Sequence, residues 1–183
     1  FSPLTIDGVA KVLVAGAVGG FPGLNPKTDY ANVGMLIYVG TNPMVSHAHN
    51  TGMFNPAVWI KAAARRGEVW TIDPLFTETA KLSTRHIAAY PGKDYAILAW
   101  LVREIIDGGP LDAQQPVHGL DELRAALQGL DRAMAAEIAG VPEQDLEDLL
   151  AAIRRKGKVV VETGTGITMS AGANLTQWFA WLL

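Results

Sequence analysis

A chain of 183 residues with 49% apolar and 18% charged side chains can bury a sizeable core, which excludes intrinsic disorder and fits one domain. Its formal charge of −3 lacks the basic excess expected of a nucleic-acid binder. Without a single cysteine it carries no disulfide framework, no cysteine-held zinc or iron–sulfur cluster and no thiol nucleophile of its own; the compartment stays open, cytoplasmic or periplasmic.

In chain order, residues 6–14 read as a helix or a strand, followed by a loose stretch with Gly16, Gly19, Gly20 and Gly23. The pattern sharpens at residues 35–39, a continuous apolar run ending in Gly40, as in a strand buried on both faces. A polar loop is expected over 41–55, then a helix over 56–66 opened by Pro56 and stopped by Gly67. Residues 69–72 read as a second strand ended by Asp73-Pro74, residues 77–82 as a short helix, and 86–89 as a short third strand. Asp94 reads as the N-cap of a long apolar helix, 95–106, closed by Gly108-Gly109. From 120 to 155 the period is helical, broken at Gly129 and at Gly140 with Pro142; residues 158–162 form a last strand, and a last helix starts near Gly172.

Strands alternating with helices predict an α/β fold with a doubly wound, mostly parallel, Rossmann-like sheet, carrying an added helical stretch over about 111–155. One domain is expected over 1–183. No run reaches the roughly 20 apolar residues of a membrane helix, and the apolar tail at 175–183 is too short, so no membrane insertion is expected of this segment. Phe1 in place of a start methionine and a tail that stops in mid-helix suggest an internal piece of a longer polypeptide.

In a sheet of this kind ligands sit beyond the carboxyl ends of the strands. Three loops have that place and a suitable composition: 40–46, 73–77 and 164–168. In the first, Gly40 would allow close backbone approach, while Thr41 and Asn42 offer a hydroxyl and an amide to phosphate or sugar; an ordinary strand-to-loop turn explains the same residues. Asp73 stands where a ribose hydroxyl is often held, and equally where a turn aspartate would stand. Gly164-Thr165-Gly166 suits a backbone pressed against a ligand, but neither it nor Gly16–Gly20 matches a Walker loop or the G-x-G-x-x-G fingerprint. His47 and His49 lack further convergent ligands and read as loop histidines; His86 and His118 are isolated. No Ser-His-Asp set and no acid–base carboxylate pair stands out.

Taken together and in order, the motifs Val39-Gly40-Thr41-Asn42-Pro43-Met44-Val45-Ser46-His47, Trp70-Thr71-Ile72-Asp73-Pro74-Leu75-Phe76-Thr77-Glu78-Thr79-Ala80, Tyr90-Pro91-Gly92-Lys93-Asp94 and Gly164-Thr165-Gly166-Ile167-Thr168 resemble the dimethyl-sulfoxide-reductase family of molybdopterin oxidoreductases, which includes formate dehydrogenases and nitrate reductases. The resemblance runs from about residue 29 to the end. It implies a large parent enzyme, catalysing electron or oxygen-atom transfer, whose molybdenum or tungsten is held by bis(molybdopterin guanine dinucleotide). This segment would bind the guanosine diphosphate arm of one dinucleotide and would be inactive alone. By that analogy Gly40, Thr41, Asn42 and Ser46 line the phosphate and ribose region, and Asp73, Phe76 and Thr77 surround the ribose and guanine. Gly92 and Asp94 contact the guanine, Gly164, Thr165, Gly166 and Thr168 lie nearer the pterin, and Pro43 and Pro74 belong to the same cofactor-binding loops.

No catalytic residue and no metal ligand is expected within the segment. An iron–sulfur cluster would lie outside it, and the implied partners are the remaining domains of the same chain and electron-transfer subunits. The pattern departs from the family at Leu75, where arginine is frequent, at Ser83-Thr84, where Ala-Asp is common, and at Met169, where many members place glutamine. The alternatives are a stand-alone Rossmann-like nucleotide-binding module and a cofactor-free, non-catalytic homologous subunit.

Overall fold

The structure, a computed structural model, describes residues 4–24, 26–47, 53–108 and 118–183. Its centre is a four-stranded, all-parallel sheet of β1 (Met35–Val39), β2 (Glu68–Ile72), β3 (Arg85–Ile87) and β4 (Val159–Thr163), in the order β3-β2-β1-β4. The chain steps outward from β1 to β3 and then crosses back to lay β4 on the other side of β1. The direction of winding therefore reverses between β1 and β4, where α/β sheets open a crevice for ligands.

β1 is one of the two inner strands and every one of its residues is buried, as its unbroken apolar run requires. Its odd and even side chains serve two cores. Met35, Ile37 and Val39 join Trp70, Ile72 and Ile87 against α5 (Asp94–Asp107), α7 (Arg132–Ala139), α8 (Glu143–Lys156) and α10 (Ala173–Leu182). Leu36 and Tyr38 join Val69 against α4 (Pro56–Arg66) and the segment holding Tyr30 and Val33. Helices on both faces make the doubly wound α/β arrangement.

The ambiguous start resolves as helix, α1 (Leu4–Asp7) and α2 (Val9–Gly19), with α2 packed on α10. α6 (Leu120–Leu127), α7 and α8 run in succession where the period is helical, broken beside Gly129 and between Gly140 and Pro142. Residues 111–117 of the expected helical stretch lie outside the described residues, as does part of the 41–55 loop, His49 included. Two short helices are not evident from the sequence, α3 (Pro43–Ser46) and α9 (Thr165–Thr168), each a single turn at the end of a strand. The short helix expected at 77–82 is a 3-10 turn at Ala80–Leu82. Among the described residues no helix is long and apolar enough to cross a membrane.

Candidate functional site

The strand register builds the site. Val39 pairs with Ile72 and with Thr163, and Ile72 pairs with Ile87, so all four strands end level. Gly40, Asp73, Ala88 and Gly164 therefore leave the sheet along one edge, and the three loops singled out in the sequence converge there with the 88–93 loop.

The loops after β1 and β4 interlock. The Gly166 N–H donates to the Gly40 carbonyl at 3.0 Å and the Gly164 N–H to the Val39 carbonyl at 3.1 Å. A Cβ on Gly164 would stand 2.5 Å from the Gly40 carbonyl oxygen, and one on Gly166 2.7 Å from it. Gly40 itself has φ +55°, and a Cβ there would meet the Ile167 nitrogen at 2.9 Å. On the side where a Cβ would stand, close approach at Gly40 thus admits the neighbouring loop. That side of Gly40 is occupied by the Gly166–Ile167 backbone.

The loop after β2 is laced to the loop after β1 through Asn42. Its amide nitrogen donates to Glu78 Oε2 at 2.9 Å, and its Oδ1 accepts from the Thr79 hydroxyl at 2.7 Å. Ser46 Oγ donates to the Asn42 carbonyl at 3.1 Å, while Thr41 and Pro43 are buried beneath. In the second loop Asp73 Oδ1 accepts from the Leu75 N–H at 2.9 Å, turning the chain at Pro74, and Thr77 Oγ1 accepts from the Ala80 N–H at 3.1 Å. Phe76 is 62% exposed, its ring edge-on to His86 at 5.3 Å. His86 Nε2 lies 2.8 Å from the Asp73 carbonyl oxygen, which gives that isolated histidine a structural place. His47 takes a left-handed conformation at the end of α3, and its Nδ1 lies 3.2 Å from the Met53 carbonyl. Among the described residues no group of histidine, aspartate and glutamate is placed to hold a metal ion.

Asp94 differs from its sequence reading. Lys93 occupies the N-cap position of α5, and Asp94 is the first helical residue, 5% exposed, with no side-chain capping bond across the first turn. Burial pushes its carboxyl up to about 6; its own N–H opposes this and the Asp73 carboxyl adds to it. Burial raises Asp73 also, against the Leu75 N–H and His86. Gly92, at φ +72°, turns the chain into α5, where a Cβ would meet Ser170 Cβ at 3.0 Å. The 88–93 loop and the β4 loop are therefore neighbours too.

The hydroxyls of the fourth motif are engaged. Thr165 donates to Asp7 Oδ1 at 2.6 Å, and Thr168 donates to the Asp7 carbonyl at 2.9 Å. Lys11 Nζ donates to the Thr163 carbonyl at 2.8 Å, and burial draws its pKa down to about 8 although Asp7 and Glu162 act to raise it. The sequence does not point to Asp7 or Lys11. They lie more than 150 residues from their partners, and no local pattern announces such a contact.

A level edge of four parallel strands, with helices on both faces and a winding reversal beside it, makes this a Rossmann-like α/β domain. The chain's relatives are molybdenum or tungsten oxidoreductases of the molybdopterin class. An assimilatory nitrate reductase of Haloferax mediterranei is 28% identical over 151 residues, 81% of this chain and 20% of that protein. The alpha subunit of the F420-dependent formate dehydrogenase 2 of Methanococcus maripaludis is 26% identical over 84% of this chain and 21% of its own length. One subunit of the tungsten-containing formylmethanofuran dehydrogenase 2 of the same organism is 27% identical over 75% of this chain and 27% of its own length. The acetylene hydratase of Pelobacter acetylenicus superposes with a TM-score of 0.71 over 84% of this chain and 21% of its own, at 18% identity, which shows a shared fold. No family model matches. The chain spans about a fifth of the length of the first two relatives.

Proposed function

We propose that the carboxyl edge of this sheet holds the guanosine diphosphate arm of a pyranopterin guanine dinucleotide, within a molybdenum- or tungsten-dependent oxidoreductase of the nitrate reductase and formate dehydrogenase kind. The observation that carries this reading is Asp94, a carboxyl 5% exposed at the ligand edge, raised by burial and by Asp73 and compensated by no lysine or arginine among the described residues. A buried acceptor of this sort calls for paired donors. Guanine presents N1–H and the exocyclic amine side by side, and a carboxylate accepts both in a charge-assisted pair. Adenine presents a lone pair at N1 and would meet Asp94 with repulsion.

The rest of the edge suits the remainder of such an arm. An exposed Phe76 ring would suit the face of a base, and the Asp73 carboxyl, which accepts from the Leu75 N–H, could also accept from a ribose hydroxyl. Gly40, Thr41, Asn42 and Ser46 sit at the winding reversal, where a pyrophosphate is supported by backbone donors. Gly164, Thr165, Gly166 and Thr168 follow β4 at the same edge. The cofactor, when bound with its metal, supplies the electron or oxygen-atom transfer; this segment binds and orients it.

Titration of GDP and of ADP into the isotopically labelled chain tests the base reading. GDP is expected to shift the amide signals of Gly92 and Asp94 together with those of Gly40 and Thr41, and ADP to leave the first pair unmoved. An equal response to both nucleotides, or none to either, overturns it. For the polypeptide at its native length, metal analysis with guanine nucleotide released by acid should give roughly one molybdenum or tungsten and two guanine nucleotides per chain, as the full cofactor requires.

A further inference from the structure

α2 is apolar all round. Its sequence, Val-Ala-Lys-Val-Leu-Val-Ala-Gly-Ala-Val-Gly, has Lys11 as the one polar side chain, and Lys11 is turned to the Thr163 carbonyl. A helix at a water-facing surface carries polar residues on its outer side; one that is apolar on every side is an interior helix. Only Ala10, Val14 and Ala15 of α2 are buried here. Val12, Leu13 and Val18 stand exposed, as does Phe21 just beyond the helix. α10, packed beside α2, adds Leu175 and Leu182. Between the two helices runs a groove of about 330 Å³, lined by Leu13, Ala17, Leu175 and Trp178 among others. Scattered surface apolars need no explanation, but a contiguous patch across two helices marks an interaction surface.

We infer that the α2–α10 face is a buried seam in the native protein, covered by the apolar surface of another domain of the same polypeptide. Two observations choose that occupant. The nitrate reductase and formate dehydrogenase relatives hold about four-fifths of their length outside the matched region, which covers 20% and 21% of them, so neighbouring domains are the most abundant surface at hand. The face is also almost uncharged, as in permanent interfaces, whereas surfaces that meet and part carry a polar character close to the rest of the exterior. Neither Asp94 nor Phe76 lines the groove, and the test of the seam does not depend on the nucleotide reading.

The 183 residues hold no cysteine, so single cysteines report cleanly there, and at native length the reaction of the unsubstituted polypeptide is subtracted. Leu13→Cys and Leu175→Cys are placed in the seam, with Asp121→Cys on the charged surface of α6 as the reference, and each is exposed to a maleimide. In the 183-residue chain all three are expected to react alike. In the polypeptide at its native length the two seam cysteines should react at least about tenfold more slowly than the reference, as side chains sealed in a packed interface do. Ala17→Cys and Asn174→Cys, which line the same groove, serve if either seam variant loses its helical circular dichroism. Free reaction of the seam cysteines at native length overturns the inference. Protection in the 183-residue chain with a doubled mass in solution assigns the face to a second copy, and protection only on adding lipid vesicles assigns it to a membrane; either outcome also overturns it.

Discussion

Asp94, raised chiefly by burial, also feels the charge of Asp73 across the carboxyl edge of the sheet, and no lysine or arginine among the described residues offsets either. The pair stores an electrostatic penalty that a ligand can relieve. The folded state keeps the Asp94 proton up to about pH 6, while the unfolded chain releases it near 3.8. Between those values the folded state binds more protons than the unfolded one, so stability falls as pH rises through that window. A shift of this size corresponds to about 3 kcal/mol at neutral pH. Chemical denaturation of the ligand-free chain should therefore give a higher unfolding free energy at about pH 4.5 than at about pH 7.5 once other groups are subtracted through Asp94→Asn. In that variant this part of the pH slope should vanish, and near neutrality it should be more stable than the parent. An unchanged slope in Asp94→Asn would remove Asp94 as the source.

The same carboxyl sets the expected base preference. If Asp94 accepts from guanine, Asp94→Asn loses a charge-assisted pair, worth about 1.5–3 kcal/mol, and GDP affinity should fall by roughly 10- to 100-fold. Xanthine replaces the exocyclic amine of guanine by a carbonyl, to which the asparagine amide can donate. Xanthosine diphosphate should accordingly overtake GDP in the variant, a reversal that general damage to the fold would not give. In the parent chain GDP binding should weaken as pH drops below about 6, by about tenfold per unit at the limit, because protonation removes the acceptor. Calorimetric titrations at several pH values check both expectations.

Asp7 secures the β4 loop from the far end of the chain, through its carboxylate to Thr165 and its carbonyl to Thr168. Asp7→Ala keeps the carbonyl and removes the carboxylate, leaving the partly buried Thr165 hydroxyl without that acceptor. The loss is about 1 kcal/mol, or a melting temperature lower by about 2–4 °C. Hydrogen exchange should quicken at the amides of Gly166 to Ser170 and stay unchanged in β2 and α5. Uniform quickening across the sheet would mean that the contact supports the whole fold and not the loop.

The sheet is legible in the sequence because β1 is apolar on both faces and because glycine or Asp-Pro punctuates the strand ends; all four strands fall within a residue or two of their expected places. The loops are legible as candidates because a parallel sheet places ligands at one edge. The hidden parts have a common cause. Whether Asp94 caps its helix or stands buried beside Asp73 depends on how the 88–93 loop sits against the loop after β2, which no local pattern encodes. Nor do the residues around Asp7 or Asn42 show that Asp7 would grip Thr165, or that Asn42 would lace Glu78 and Thr79.

Gly164 gives the sharpest steric test of the interlocked loops. Its φ of −125° is open to any residue, so a substitution there brings no backbone strain. What forbids a side chain is space: an added Cβ would stand 2.5 Å from the Gly40 carbonyl oxygen and would collide with the Thr41 side chain. Neither obstacle is the far end of a flexible side chain, so the two loops must part. Overpacking of this kind costs about 1–3 kcal/mol. Gly164→Ala should lower the melting temperature by several degrees and weaken the hydrogen bond from the Gly166 N–H to the Gly40 carbonyl, seen as faster exchange of that amide. Gly129→Ala, in open space and away from the sheet, is the control and should melt within about a degree of the parent. Equal melting of Gly164→Ala and the parent would show that the loops after β1 and β4 do not interlock as described.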